Sequence, residues 1–397
     1  MKKITLLILI ALLFATRLVQ AQEALRSEVG TPLRAAQDLM KAGKNKEALA
    51  KVREAEAVGN RSAYESFIID RMRGSAAAAA GDEATAIRSF EAALASGQLQ
   101  GSEQMPLVES LASLAFRAKD YTKAIEFSER YFKQGGTSES MRSLQVNAYY
   151  LKGDFAGVAR DLQAKVEAAE QATPVIDEQT LLLLASSYQK LGNTAGYAAT
   201  LERLLVHHPK KSYWMDLITS AQNKPNFADR LGLDVYRLLL ATDNLSESAQ
   251  YVEMAQLAME AGLPAEAKKI VNAGYVAGKL GTGTDAERHK RLRDSANKQV
   301  AEDEKSVKVD VIGRNADALV NTGQWLVSVG QLDKGIAMME QGIAKAGLKH
   351  SEDAKLHVAQ AYFANGDRVK ASAIFKSIKG VDGTADLARL WAILAKP

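Results

Sequence analysis

The sequence predicts an all-α fold, an α-solenoid of stacked helix–turn–helix units. Three observations carry that expectation. A stretch of 15 residues with glycine sixth recurs along the chain: "DLMKAGKNKEALAKV" (38–52), "AAAAAGDEATAIRSF" (76–90), "AYYLKGDFAGVARDL" (148–162), "SYQKLGNTAGYAATL" (187–201), "LAMEAGLPAEAKKIV" (257–271), "WLVSVGQLDKGIAMM" (325–339) and "AYFANGDRVKASAIF" (361–375). With a further copy centred on Lys119, most of the intervals between centres lie between 34 and 39 residues, and 262→330 is 68, twice 34. The composition, rich in alanine and leucine with 6% aromatics, leans helical. With 7 prolines and 28 glycines in 397 residues the chain is not low-complexity, and 25% charged residues suit a folded domain.

Taken in order, residues 1–21 read as a secretory signal peptide. Lys2 and Lys3 precede the apolar "ITLLILIALLFA" (4–15), and "VQA" (19–21) supplies the small-residue cleavage site, so cleavage is expected after Ala21. An uncleaved anchor is the weaker reading. A 12-residue helix rises about 18 Å, short of a hydrocarbon core of about 30 Å. No cysteine follows, which excludes a lipid-anchored form. An exported chain of this kind is expected in the periplasm.

The formal charge of +4 comes mostly from the leader. Removing Lys2, Lys3 and Arg17 from 51 basic residues leaves 48 against 47 acidic. That is no electrostatic footprint for nucleic acid. With no cysteine, thiol catalysis and zinc–thiolate sites are impossible.

The repeat has a physical reading. With its glycine at position 15, positions 8 and 20 are small: Ala36 and Ala48, Gly74 and Ala86, Gly323 and Gly335, Ala359 and Ala371. They let two helices approach closely, while Phe90, Met339 or Phe375 at position 24 fills the space between pairs. Glycine at 15 suits a tight turn because it takes positive φ at little cost. A further copy, "LAFRAKDYTKAIEFS" (114–128), carries Lys119 there.

These residues resemble the tetratricopeptide repeat family, whose unit is about 34 residues with this small–small–aromatic pattern. Tyr149, Tyr188 and Tyr362 fall at the frequently aromatic position 11, and Pro209 at position 32 of the unit centred on Gly192. The resemblance implies a right-handed solenoid of about eight to ten units. The expected layout is an N-terminal array over 22–275, a charged helical connector or diverged unit over 276–312, and C-terminal repeats over 313–397. Between the arrayed copies, residues 210–245 read as one diverged unit turning at Lys224–Pro225–Asn226. "GTGTDAERHKRLRDSANKQVAEDEKSVKVDVIGRN" (281–315) reads as a glycine-rich turn and a charged, solvated helix. "ADLARLWAILAKP" (385–397) reads as a cap helix.

Motifs with chemical overtones fail on context. "GTGTDA" (281–286) fits a dinucleotide fingerprint, yet a helical segment precedes it where a strand is required. "GYVAGKL" (274–280) is one residue short of a phosphate loop and ends in Leu280. His207 and His208 are adjacent, so on a helix they point about 100° apart and rarely share a metal. No cofactor or metal site is expected. "ERHKRLRDSANK" (287–298) is locally basic and would support at most a weak membrane-surface contact, since the following "AEDEK" offsets it.

In repeats of the family it resembles, positions 5, 9 and 12 of the first helix face the groove. Position 9 here carries Gln37, Ser75, Ser113, Asn147, Ser186, Gln256, Gln324 and Gln360, groups that hydrogen-bond an extended peptide. Position 12 offers apolar seats in Phe116, Tyr150, Met259 and Phe363. Arg71 and Arg117 would pair with an acidic ligand. Asn147 matches the asparagine of the family's carboxylate clamp, but its unit has Ser143 where a basic companion is needed.

The expectation is a non-enzymatic periplasmic scaffold or adaptor holding a protein or peptide of the cell envelope in its groove. One alternative is a structural component of envelope polysaccharide or outer-membrane machinery that uses its convex face or ends. Another is the helical arm of a peptidoglycan-active enzyme, for which no catalytic segment is visible.

Overall fold

The protein's computed structural model describes residues 25–172, 175–306 and 315–396. Among them are twenty α-helices and no strand. The expected leader lies outside the described residues. No helix among the described residues is long and apolar enough to cross a membrane. The chain forms two compact units, one ending at Glu167 and the other starting at Ala168. This division falls inside the helix Phe155–Ala172.

The first unit holds α1 (Ser27–Lys41), α2 (Asn45–Glu56), α3 (Ala63–Ala80), α4 (Glu83–Ala95), α5 (Met105–Arg117), α6 (Tyr121–Lys133), α7 (Glu139–Lys152) and the start of α8 (Phe155–Ala172). Each odd helix pairs with the next, and α2, α4 and α6 pack on α3, α5 and α7. The turns explain the periodicity. Gly81 and Gly153 take φ of 81° and 84°, and the N–H of the following residue reaches back to the carbonyl five residues before it. Lys119 keeps the same turn with φ 60°, a conformation that costs a residue with a Cβ.

The residue after the turn starts the next helix. Asp82, Asp120, Asp154, Asn193 and Asp367 each accept a backbone N–H from three residues on. One short polar side chain thus satisfies an orphan donor of the second helix.

Positions 8, 20 and 24 do what the pattern predicts. A Cβ on Gly74 would lie 2.4 Å from the Phe90 ring. A Cβ on Gly323 would lie 2.5 Å from Met339 and 2.7 Å from the Gly335 carbonyl oxygen. The position-11 tyrosines add a contact of their own. The Tyr149 and Tyr188 rings lie where a Cβ on Gly157 or Gly196 would have to sit. The Tyr149 hydroxyl donates to Glu129 at 2.6 Å and accepts from Arg160, tying one unit to the next. Tyr362 repeats the device with Glu340 and Lys370.

The N-terminal pair is pinned by Glu65, 2% exposed. It receives N–H bonds from Arg26 and closes a capping box with Ser62.

The second unit holds the remainder of α8, then α9 (Glu178–Lys190), α10 (Thr194–His207), α11 (Lys211–Gln222), α12 (Gly232–Ala241), α13 (Ser248–Glu260), α14 (Pro264–Val276), α15 (Ala286–Ser306), α16 (Ala316–Ser328), α17 (Leu332–Ala344), α18 (Ser351–Ala364), α19 (Arg368–Ser377) and α20 (Thr384–Leu394). The diverged 210–245 region is α11 and α12 joined by an irregular segment, 223–231. The charged α15 is not a free connector. It packs on α14, burying His289 and Ala296 and laying Arg293 over the Tyr275 ring at 4.3 Å.

The expected cap helix has a second role. Besides packing on α18 and α19, α20 packs on α11 and α12, so the end of this unit returns to its diverged middle. Arg230 binds Asp353 through two nitrogens and also reaches Asp382. Lys224 binds Asp386 at 2.8 Å, and Arg389 binds Glu202 at 2.8 Å. Periodicity alone implies an open array. Here charges more than a hundred residues apart close it.

Two measurements test these local arguments. Lys119→Gly removes the cost of a left-handed lysine and should stabilise the first unit by about 1 kcal/mol in denaturant unfolding; no gain would show that the turn holds no strain. The hydrogen bond from the Arg26 side chain, with those from Ser62 and the Arg26 backbone, holds the Glu65 carboxyl at about 2, below its ordinary 4.5. A depressed carboxylate stabilises fully above its unfolded value and loses that contribution as pH falls through the folded one. The melting-temperature gap between wild type and Glu65→Gln should therefore be full at pH 7 and shrink as pH falls from 4.5 towards about 2.

Candidate functional site

In the first unit, the expected groove residues sit on three first helices of successive pairs. Arg71 and Ser75 lie on α3, Ser113, Phe116 and Arg117 on α5, and Asn147 and Tyr150 on α7. Spacings of three and four place each set on one helix face. Two pairs of first helices touch, α1 with α3 and α5 with α7.

Asn147 is exposed, and Ser75, Ser113, Phe116 and Tyr150 are half-buried. The rings are braced from below. Phe116 meets Tyr121 edge-on at 5.7 Å, and Tyr150 meets Phe155 at 5.5 Å. The two pairs are equivalent, position 12 against position 17. Each ring is therefore held by its neighbour while staying half-exposed.

The cations differ in their surroundings. Arg71 lies over the Phe67 ring at 5.4 Å, and burial lowers its pKa. Arg117 sits 3.7 Å from Glu83 of the preceding pair.

The second unit treats the same positions unevenly. On α13, Gln256 is exposed and Met259 half-buried; Ser186 on α9 and Gln324 on α16 are half-buried. Gln360, however, donates to Asp234 on α12 at 3.2 Å, and Phe363 is edge-on to Trp391 of α20 at 5.4 Å. These two side chains are engaged by the unit itself, which sequence position did not reveal. Asp234 is 3% exposed and also receives bonds from His357 and Arg237, while Arg237 forks onto Glu266. Burial opposes the Asp234 charge, but His357 and Arg237 outweigh it and hold the carboxyl well below the usual range.

A sequence model of the tetratricopeptide repeat matches residues 179–211, which span α9 and α10. The other helix pairs share its pattern of small residues and a tight turn, without a match of their own. No curated protein matches it by sequence. Among solved structures, a tetratricopeptide repeat protein from Parabacteroides merdae is 12% identical over 85% of this chain and 99% of its own, with a TM-score of 0.33. The C-terminal part of a TPR repeat-containing protein from Cytophaga hutchinsonii is 15% identical over 70% of this chain and 98% of its own, at 0.32. The TPR2AB domain of yeast Sti1, solved with pHSP90, is 13% identical over 75% and 100%, at 0.25. Values this low carry no argument about this chain.

A tetratricopeptide repeat array supports a protein-interaction scaffold, because its stacked first helices offer a continuous side-chain surface. Side-chain clusters with catalytic overtones do not assemble a centre. Ser248 Oγ lies 3.3 Å from His289 Nε2, a pair no motif announced. His289 Nδ1 accepts the Gly281 N–H at 3.2 Å, which puts the ring proton on Nε2, facing the serine. A general base needs that nitrogen unprotonated. His208 Nε2 meets the Ile176 carbonyl at 2.6 Å, so it serves a loop. Among the described residues no group of three metal-ligating side chains converges. The 281–286 glycines form the turn between α14 and α15, with a helix before them.

The basic stretch 287–298 is partly consumed by the packing of α15. His289 is buried and Arg293 lies on Tyr275, while Arg288, Lys290, Arg291 and Lys298 remain exposed.

Proposed function

We propose that the protein is a non-catalytic adaptor, exported to the periplasm, that holds a protein or peptide of the cell envelope on the α3–α5–α7 face of its first unit. The observation that carries this reading is the row itself. Ser75, Ser113 and Asn147 lie on the first helices of three successive pairs, and Phe116 and Tyr150 on the same helices are braced and half-buried. An extended peptide needs those two things, backbone partners at a regular rise and apolar seats for alternate side chains. Arg71 and Arg117 favour an acidic residue in the ligand. A free C-terminal carboxylate is not the anchor, because Ser143 stands where the clamp requires a cation. The leader over 1–21 supports export.

A structural role in envelope polysaccharide or outer-membrane machinery is the second reading. It is favoured by the second unit, where Gln360 and Phe363 face the unit's own helices and leave its outer surface for contacts.

A photoreactive residue at Tyr150 in living cells should capture one recurrent envelope protein, and the same probe on an outer face should not. With that partner purified, Asn147→Ala combined with Tyr150→Ala should weaken binding by at least about tenfold, the loss expected for an aromatic anchor and its polar neighbour. Capture from the outer face alone, or unchanged affinity in the folded double variant, would overturn the groove reading in favour of the second.

A further inference from the structure

The contact that closes the second unit has the chemistry of a bound peptide. Between α11 and α12 the chain runs as an irregular segment, and its residues Lys224, Pro225, Asn226 and Arg230 are exposed. It lies against the α18–α20 end of the unit. Phe227 covers Gly383, where a Cβ would fall 2.4 Å from the ring. The Ala228 N–H donates to the Asp382 carbonyl at 2.9 Å, and Asn226 donates to the Val381 carbonyl.

Arg230 then enters a prepared acidic seat. Its Nε and Nη2 lie 2.7 and 3.1 Å from the two oxygens of Asp353, and Nη2 also reaches Asp382. Asp353 is 8% exposed and is oriented by the Thr384 hydroxyl, which lies 3.2 Å from it. A planar guanidinium on a buried, pre-oriented carboxylate is a recognition geometry that lysine would not reproduce.

The geometry points to an internal ligand. We infer that 224–230 is a displaceable strap occupying a second peptide site, built by Asp353, Asp382, Gly383 and Asp386, whose external ligand is a protein segment presenting an aromatic residue and, three residues on, an arginine. The strap suits displacement. Its contacts are ion pairs whose basic partners, Lys224 and Arg230, are a third or more exposed, backbone bonds and one half-buried ring, and such pairs are screened by salt from their open side. Tethering keeps it at high effective concentration, so an external segment succeeds only by making more contacts or at high local abundance. The site is independent of the first-unit row, and Asn147→Ala with Tyr150→Ala should leave it unchanged.

A dye-labelled peptide with the sequence of residues 224–231 tests this in the full chain. It should bind Phe227→Ala/Arg230→Ala at least about tenfold tighter than wild type, because the internal copy no longer competes. Adding Asp353→Asn to that variant should abolish the gain, and a peptide with lysine for its arginine should bind markedly less well. In wild type, saturating peptide should raise hydrogen exchange across 223–231. A folded double variant that does not bind, or binding indifferent to Asp353→Asn, would overturn the proposal. Should the double variant not fold, wild-type exchange at 223–231 that stays unchanged at the highest peptide concentration would overturn it.

Discussion

The close approach of the two helices in each pair is the constraint on which the rest depends. Small residues at positions 8 and 20 remove the side chains that would hold the backbones apart, and at Gly323 and Gly335 even one methyl group would strike the facing helix. Interiors packed to this density leave no slack for a one-residue slip. The turn between the helices must therefore fall at one register, which explains why Lys119 adopts a glycine-like conformation where glycine is missing. A pair built this tightly has no interior of its own. Its apolar faces point outward to the next pair, and stacking follows.

Stacking explains the first-unit row as a by-product of register. In the first unit Tyr149 uses position 11 to bind an acid of the preceding pair, which leaves Asn147 at position 9 exposed. In the second, Tyr362 makes the same tie, yet Gln360 and Phe363 at positions 9 and 12 are engaged as well.

How much of this was legible varied with distance along the chain. The turn glycines, small positions and tyrosines repeat at short range and could be read from spacing. The N-cap acids after the turn repeat as regularly, in Gly–Asp and Gly–Asn pairs, and were a signal available but unused. The closure of the second unit was not legible. Lys224, Arg230, Asp353, Asp382 and Asp386 resemble solvated surface residues, and no period relates them. The same holds for His289, which lies in a run of charges yet is 4% exposed because α15 packs on α14. For the candidate row, spacing puts Asn147 and Tyr150 three residues apart, and both lie on α7. It had no means of seeing that Gln360, in the equivalent position of α18, is spent on Asp234.

That closure has two layers with different physics. Asp234, Arg237, Glu266, His357 and Gln360 form a buried layer in which every loss strands a partner. Removing one member of a buried ionic network leaves an unpaired charge out of water, so this layer acts as a fixed joint. The strap forms a more open layer. Lys224 and Arg230 keep contact with water, and Phe227 covers a glycine without being enclosed. Burial opposes the charge of Asp382, yet its bonds from Arg230 and Thr384 hold the carboxyl well below the usual range. Asp382 therefore keeps its charge through neutral and mildly acidic pH, and proton concentration is a poor lever on its bond to Arg230. Competition by a similar segment is a good one, because it replaces each contact in kind while the buried layer keeps the joint in place.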